Sequence, residues 1–215
     1  MPPPKTIVFD LDGTLVDSLP DIIASFQYAL ESQKLPVPSD AEVRALIGLP
    51  LEDMYARFAA PDQVPTLCTL YREHYPRNFV KRSRPFPGAV ELLRTLRERG
   101  YSLAIATTKR TDMARRFVEA LGLTSALDHI QGTDGFPHKP APDVIQRALA
   151  ALGSEGLWMV GDTTHDILAG RAAGLRTYAV TWGNHDAGTL ATAAPDELQP
   201  DLGRLLEHLP PLSHA

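Results

Sequence analysis

Short apolar runs recur along this chain, and each stops abruptly at polar residues. Positions 6–9, 102–106, 157–160 and 177–180 are rich in β-branched, aromatic or aliphatic residues and read as buried strands, and 128–131, which follows a helix, reads as a further strand. Between and after them, stretches 89–99, 113–121, 142–152 and 166–173 place apolar residues at helical spacing. Each ends at a glycine (Gly100, Gly122, Gly153 or Gly174), the residue best suited to a left-handed helix cap. Alternating strands and helices predict right-handed crossovers and a three-layer α/β core with a mainly parallel sheet. Residues 18–84 break the rhythm. They read as helices at 20–31, 40–46, 51–59 and 66–79, punctuated by Leu35-Pro36-Val37-Pro38 and Ala60-Pro61-Asp62. The pattern therefore predicts a core of residues 1–17 and 85–215 with a helical insertion at 18–84, joined by two short hinges. A last helix is expected at 202–209, in the proline-rich tail.

Composition narrows the class of function. A net charge of −5, spread along 215 residues, gives no electrostatic footprint for nucleic acid. An anionic substrate must then be drawn by local cations or by a metal. Cys68 is the single cysteine, which rules out an intrachain disulfide and a cysteine metal cluster and reads as a small buried hydrophobe. Met1-Pro2-Pro3-Pro4 does not resemble a signal peptide, and no apolar run approaches the ~20 residues of a membrane helix. A soluble protein in a reducing cytoplasm is expected, as a monomer or weak dimer.

The chemistry gathers where strands end. Asp10 and Asp12 follow the first strand one residue apart, and Gly13 lets the chain bend away from the crowding of two like charges. Thr107 ends the second core strand, Asp162 ends the fourth, and Lys139 lies in the loop after the third. In an open parallel sheet, ligands bind outside the carboxyl ends of the strands. Asp166 falls at the start of the next helix, where it can cap the helix or join the acidic group. Four clustered acids repel strongly without a cation, and oxygen donors with no His or Cys cluster point to Mg2+.

Asp10-Leu11-Asp12-Gly13-Thr14 behind an apolar strand resembles the first motif of the haloacid dehalogenase-like (HAD) phosphohydrolases. Gly161-Asp162-Thr163-Thr164-His165-Asp166 resembles their fourth motif, His138-Lys139-Pro140 their third and Thr107-Thr108 their second. The place of the helical insertion matches their C1 cap. This resemblance implies a Rossmann-like core with a cap, and it implies roles. Asp10 would be the nucleophile, Asp12 the proton donor and acceptor, and Lys139 the countercharge. Thr107 and the Thr108 amide would donate to the phosphoryl group. Asp10, the Asp12 backbone carbonyl and Asp162 would hold Mg2+ directly, with Asp166 acting through water. Arg44-Ala45-Leu46-Ile47-Gly48-Leu49-Pro50 resembles the cap loop of phosphoglycolate phosphatases, with Arg44 and Gly48 as substrate-binding candidates and Arg82 and Arg84 as further ones. Plainer readings stand beside these: Lys139 as a surface lysine, Arg44 as a solvated helix end. His138 and His165 are expected on the surface, and Trp182-Gly183 in a structural turn. The expected activity is hydrolysis of a small phosphorylated metabolite, phosphoglycolate first. Pyrophosphate, sugar phosphates or nucleotides on the same machinery come next. A mutase resembling β-phosphoglucomutase and a non-enzymatic binding protein are the remaining alternatives.

Overall fold

The computed structural model describes residues 3–212. Met1, Pro2 and 213–215, the ends of the expected core segments, lie outside the described residues. The chain divides into two compact units: the residues up to Val16 together with those from Pro85 onward, and Asp17–Arg84.

The first unit is a parallel sheet between helices. Strand β1 (Lys5–Phe9) is followed by β2 (Val16–Asp17), at the point where the chain leaves this unit, and β3 (Arg84–Pro85) marks its return. These two short strands pair as a separate ribbon. The sheet proper continues with β4 (Ser102–Ala106), β5 (His129–Gln131), β6 (Glu155–Gly161), β7 (Arg176–Val180) and β8 (Glu197–Gln199), in the order β5-β4-β1-β6-β7-β8. Every pairing is parallel. The chain builds outward from β1 through β4 to β5, then returns to β6 and builds the other way. β1 therefore sits at the switch in strand order, where an open α/β sheet leaves its crevice.

Helices α5 (Ala89–Glu98), α6 (Thr111–Ala120), α7 (Asp143–Leu152), α8 (Thr164–Ala172) and α9 (Ala187–Thr192) belong to this unit. On one face Val8, Ala104, Ala106 and Met159 pack with Val144, Ile145 and Ala148 of α7 and Ala169 of α8. Ile7, Phe9, Leu103 and Ile105, at the alternate strand positions, are also fully buried, so both faces of the sheet are covered. At 25 cal/mol per Å2, each such aliphatic side chain contributes about 1.5–3 kcal/mol.

The second unit is helical, with α1 (Leu19–Ser32), α2 (Asp40–Arg44), α3 (Leu51–Tyr55) and α4 (Val64–Asn78). Phe26 stacks on Tyr55 with ring centroids 4.1 Å apart, and the Tyr55 hydroxyl donates to the Phe26 carbonyl at 3.3 Å. Cys68 is buried in this unit, and burial pushes its thiol up to about 11, which suits an inert core residue.

Several elements differ from the sequence reading. The 51–59 helix stops at Tyr55, because its next turn tightens through Arg57 N to Met54 O and Phe58 N to Tyr55 O ahead of Pro61. In place of a helix at 202–209 the chain forms a 3-10 segment, Gly203–Glu207, confined between Pro200 and Pro210. β8 was not foreseen: three residues, two of them polar, carry no apolar run. Helix α8 starts at Thr164 rather than Asp166, with Thr163 as its N-cap.

Candidate active site

The first motif folds as a tight turn after β1. Gly13 N donates to Val16 O at 2.8 Å, Leu15 and Val16 both return to Leu11 O, and Gly13 takes φ +88°. The turn holds Asp10 at the strand end and carries Asp12 and Thr14 with it. A Cβ on Gly13 would lie 2.3 Å from Asp162 Oδ2, so glycine is required both by backbone conformation and by space.

Three of the four candidate acids cluster. Carboxylate oxygens of Asp10, Asp162 and Asp166 lie within 4.8 Å of one another, and all three residues are buried. Lys139 Nζ stands among them, 2.7 Å from Asp10 Oδ1, 2.5 Å from Asp166 Oδ1 and 3.0 Å from the Ala106 carbonyl. The reading of Lys139 as a surface lysine is thereby excluded, since its side chain is 3% exposed. Asp166 does two things: Oδ1 faces Lys139, while Oδ2 accepts from Thr163 N and Oγ1 in a capping box that starts α8.

Charge in this cluster is unbalanced. Burial raises the Asp10 carboxyl well above its usual value; Lys139 opposes this, and Asp166, Asp162 and Asp12 add to it. Asp162 is pushed up to about 7 by burial and by Asp166, against hydrogen bonds from Asn184 and Thr14. Burial alone would lower the Lys139 ammonium, but the charges of Asp10 and Asp166 dominate and raise it. With all three carboxylates ionised, the one ammonium would leave two negative charges, the amount a divalent cation would neutralise. The all-oxygen donor set fits Mg2+.

Asp12 is turned toward Lys109, whose Nζ lies 2.6 Å from its Oδ2; both side chains are nearly buried. Thr107 is buried at the end of β4, with its Oγ1 accepting from Lys109 N at 3.3 Å, and Thr108 beside it is half-buried. The motifs give Thr14 no task, and nothing in the sequence alone singles out Lys109 or Asn184 except position. Lys109 follows Thr107-Thr108 directly, and Asn184 follows the carboxyl end of β7.

Of the remaining candidates, Arg44, Gly48, Arg82 and Arg84 belong to the helical unit. Arg44 ends α2, exposed, and lines a pocket of about 330 Å3 within the helical unit with Gln27, Asp40 and Arg82. Gly48 follows with φ +100°. Arg82 and Arg84 are engaged in local structure: Arg82 bonds Asp21 and the Pro20 carbonyl, and Arg84 bonds the carbonyls of Val80, Lys81 and Ser83. His138 and His165 are not free surface residues. Each is part-buried, with its Nδ1 lacking a hydrogen-bond partner, and the His165 ring lies 6.3 Å from that of His185 in the loop after β7. Trp182 packs near Phe86, as a structural turn residue would.

The family profile of the haloacid dehalogenase-like hydrolases matches residues 7–180. The chain belongs to this family. It is a HAD-like phosphatase, similar along nearly its whole length to proteins so named. A phosphoglycolate phosphatase of Vibrio cholerae is 33% identical, covering 94% of this chain and 96% of its own. The pyrophosphatase PpaX of Halalkalibacterium halodurans is 34% identical over 94% and 95%. Among solved structures, a HAD-like family hydrolase of Streptococcus pneumoniae superposes with a TM-score of 0.87 at 32% identity, covering 94% of this chain and 97% of that one. No helix among the described residues is long and apolar enough to cross a membrane.

Proposed function

We propose that this HAD-like phosphatase is Mg2+-dependent and hydrolyses a small phosphomonoester through an aspartyl-phosphate on Asp10, with phosphoglycolate the leading substrate. The observation that carries this reading is the buried Lys139 ammonium between Asp10 and Asp166, beside Asp162, at the switch point of the sheet. Asp10, the Asp12 carbonyl, Asp162 and Asp166 would hold Mg2+, which would supply positive charge that offsets repulsion between carboxylate and phosphate.

The residues then divide the work. An Asp10 oxygen attacks phosphorus as the bond to the leaving oxygen breaks, and Asp12 gives that oxygen its proton. Asp12 next takes a proton from the water that attacks the acyl phosphate, releasing phosphate and restoring Asp10. Lys139 balances the charge of Asp10 and the phosphoryl oxygens, while the Thr107 hydroxyl and the Thr108 amide donate to them. In the helical unit, acting as a cap, Arg44 and the Gly48 turn select the leaving group.

The V. cholerae relative, named a phosphoglycolate phosphatase, supports the leading substrate. The H. halodurans relative, named a pyrophosphatase, supports pyrophosphate as the second reading. Phosphate release from phosphoglycolate, pyrophosphate, sugar phosphates and nucleotides, with and without Mg2+, separates the two. Release dominated by phosphoglycolate and lost in Asp10→Asn is the expected result. Release dominated by pyrophosphate would move the assignment to the second reading, and metal-independent release that survives Asp10→Asn would overturn the mechanism.

A further inference from the structure

We propose that Asn184 is a positioning residue for the divalent cation, its carboxamide tying the Asp162 carboxylate to the backbone of the Asp12 turn. The inference rests on the Mg2+ reading above and deepens it. Asn184 Nδ2 lies 2.7 Å from Asp162 Oδ2 and 3.4 Å from the Asp12 carbonyl oxygen, and Asn184 N donates to the same Asp162 oxygen at 2.7 Å. Both partners of the carboxamide are acceptors, which fixes its nitrogen as the end that points inward. From the opposite side Thr14 Oγ1 donates to Asp162 Oδ1 at 2.7 Å. The Asp162 carboxylate is thus pinned at both oxygens, and its plane is set before any ion arrives.

Two further facts distinguish this from an ordinary turn contact. The backbone already secures the loop, through Asn184 N and through His185 N to Asp162 O at 3.3 Å, so the side chain is not needed to close it. The chain also clears space for the arrangement: a Cβ on Gly13 would lie 2.4 Å from Asn184 Nδ2, and one on Gly183 would lie 2.3 Å from Asp162 Oδ2. The carboxamide therefore spans two oxygens from separate segments, both assigned above as cation ligands. Donors that orient ligands in this way commonly change metal affinity by about 10–100-fold when removed.

The test is a Mg2+ titration of the full chain, followed by the shift in thermal unfolding temperature and, separately, by phosphate release. Asn184→Leu keeps the branched shape, at somewhat larger volume, and removes the donor. The Mg2+ concentration giving half the shift should rise about 10–100-fold, with kcat recovering to within about threefold of wild type at saturating metal. Without metal, the unfolding temperature should move by only a few degrees. Thr14→Val should displace the titration in the same direction, and Asp162→Asn should abolish the shift. Should Asn184→Leu fail to fold, Asn184→Ser decides the matter by the same titration. A midpoint within twofold of wild type in the folded variant would overturn the role of Asn184 while leaving the Mg2+ reading intact. A wild-type protein with neither a Mg2+-dependent shift nor Mg2+-dependent turnover would overturn both.

Discussion

At the scale of single residues, the site is built from charges that need one another. Lys139 is held by two carboxylates, and Asp12 by Lys109. Replacing Asp10 with Asn should lower phosphate release by more than about 1000-fold, as removal of a nucleophile does in comparable enzymes. Circular dichroism should show the fold retained. Lys109→Met should act differently. It leaves the nucleophile in place but frees the Asp12 carboxylate to turn, and kcat should fall up to about 100-fold, the usual cost of a misplaced group. Steady-state kinetics at saturating Mg2+ would read this directly; an unchanged kcat would mean that Lys109 does not govern where Asp12 points. The sequence made Asp10, Asp12 and Asp162 legible because apolar strands that end in charged residues are rare and costly without a purpose; Lys139, in a loop, was legible only through the resemblance of His138-Lys139-Pro140 to the family's third motif. It left Lys109 and Asn184 unread, since a lysine and an asparagine in loops have many ordinary reasons to be there. Only the three-dimensional approach of Asn184 to Asp162 reveals its task.

At the scale of elements, capping and local hydrogen bonds decide where the site residues stand. Thr163 starts α8 and at the same time orients Asp166, so Thr163→Ala should cost about 1 kcal/mol of stability. Denaturant unfolding measures that cost. In the helical unit Asp21 plays a comparable part. Burial works against its charged form, but Arg82 N, Ser83 N and Ser83 Oγ all donate to its Oδ2, and its carboxyl ends below the usual value. A depressed folded pKa means that the stabilisation is present above the unfolded value of about 3.9 and disappears as pH falls through the folded value. Thermal melts should therefore show the wild type losing stability below about pH 4, with a shallower loss in Asp21→Asn over the same window. At pH 7 that variant should be less stable by about 1–3 kcal/mol, because it replaces a charged acceptor of buried donors. Helices with glycine stops and strands with apolar runs were readable in advance. The short pieces were not. β2, β3, β8 and α9 hold two to six residues each, too few for a period to emerge, and their formation depends on neighbours distant in sequence.

At the scale of the whole molecule, the sheet order explains why residues from separate parts of the chain meet. Asp10 ends β1, Asp162 follows β6, and Thr107 follows β4, the strands on either side of β1. The reversal of strand order there opens the crevice in which the acids gather, and Lys139 enters from the loop after β5. If that crevice holds Mg2+, the metal should stabilise the folded protein by about 2.7 kcal/mol at a concentration 100 times its Kd. The covalent chemistry at Asp10 is the centre of this account, and one experiment addresses it most directly. Enzyme mixed with phosphoglycolate or pyrophosphate and Mg2+ is quenched within a turnover and reduced with borohydride, which converts an acyl phosphate of aspartate to homoserine. Peptide mass spectrometry then locates the change. Homoserine at position 10, dependent on substrate and Mg2+, is the expected result. A turning-over enzyme that yields homoserine at another aspartate, or none under conditions that trap an acyl-phosphate control, would contradict it.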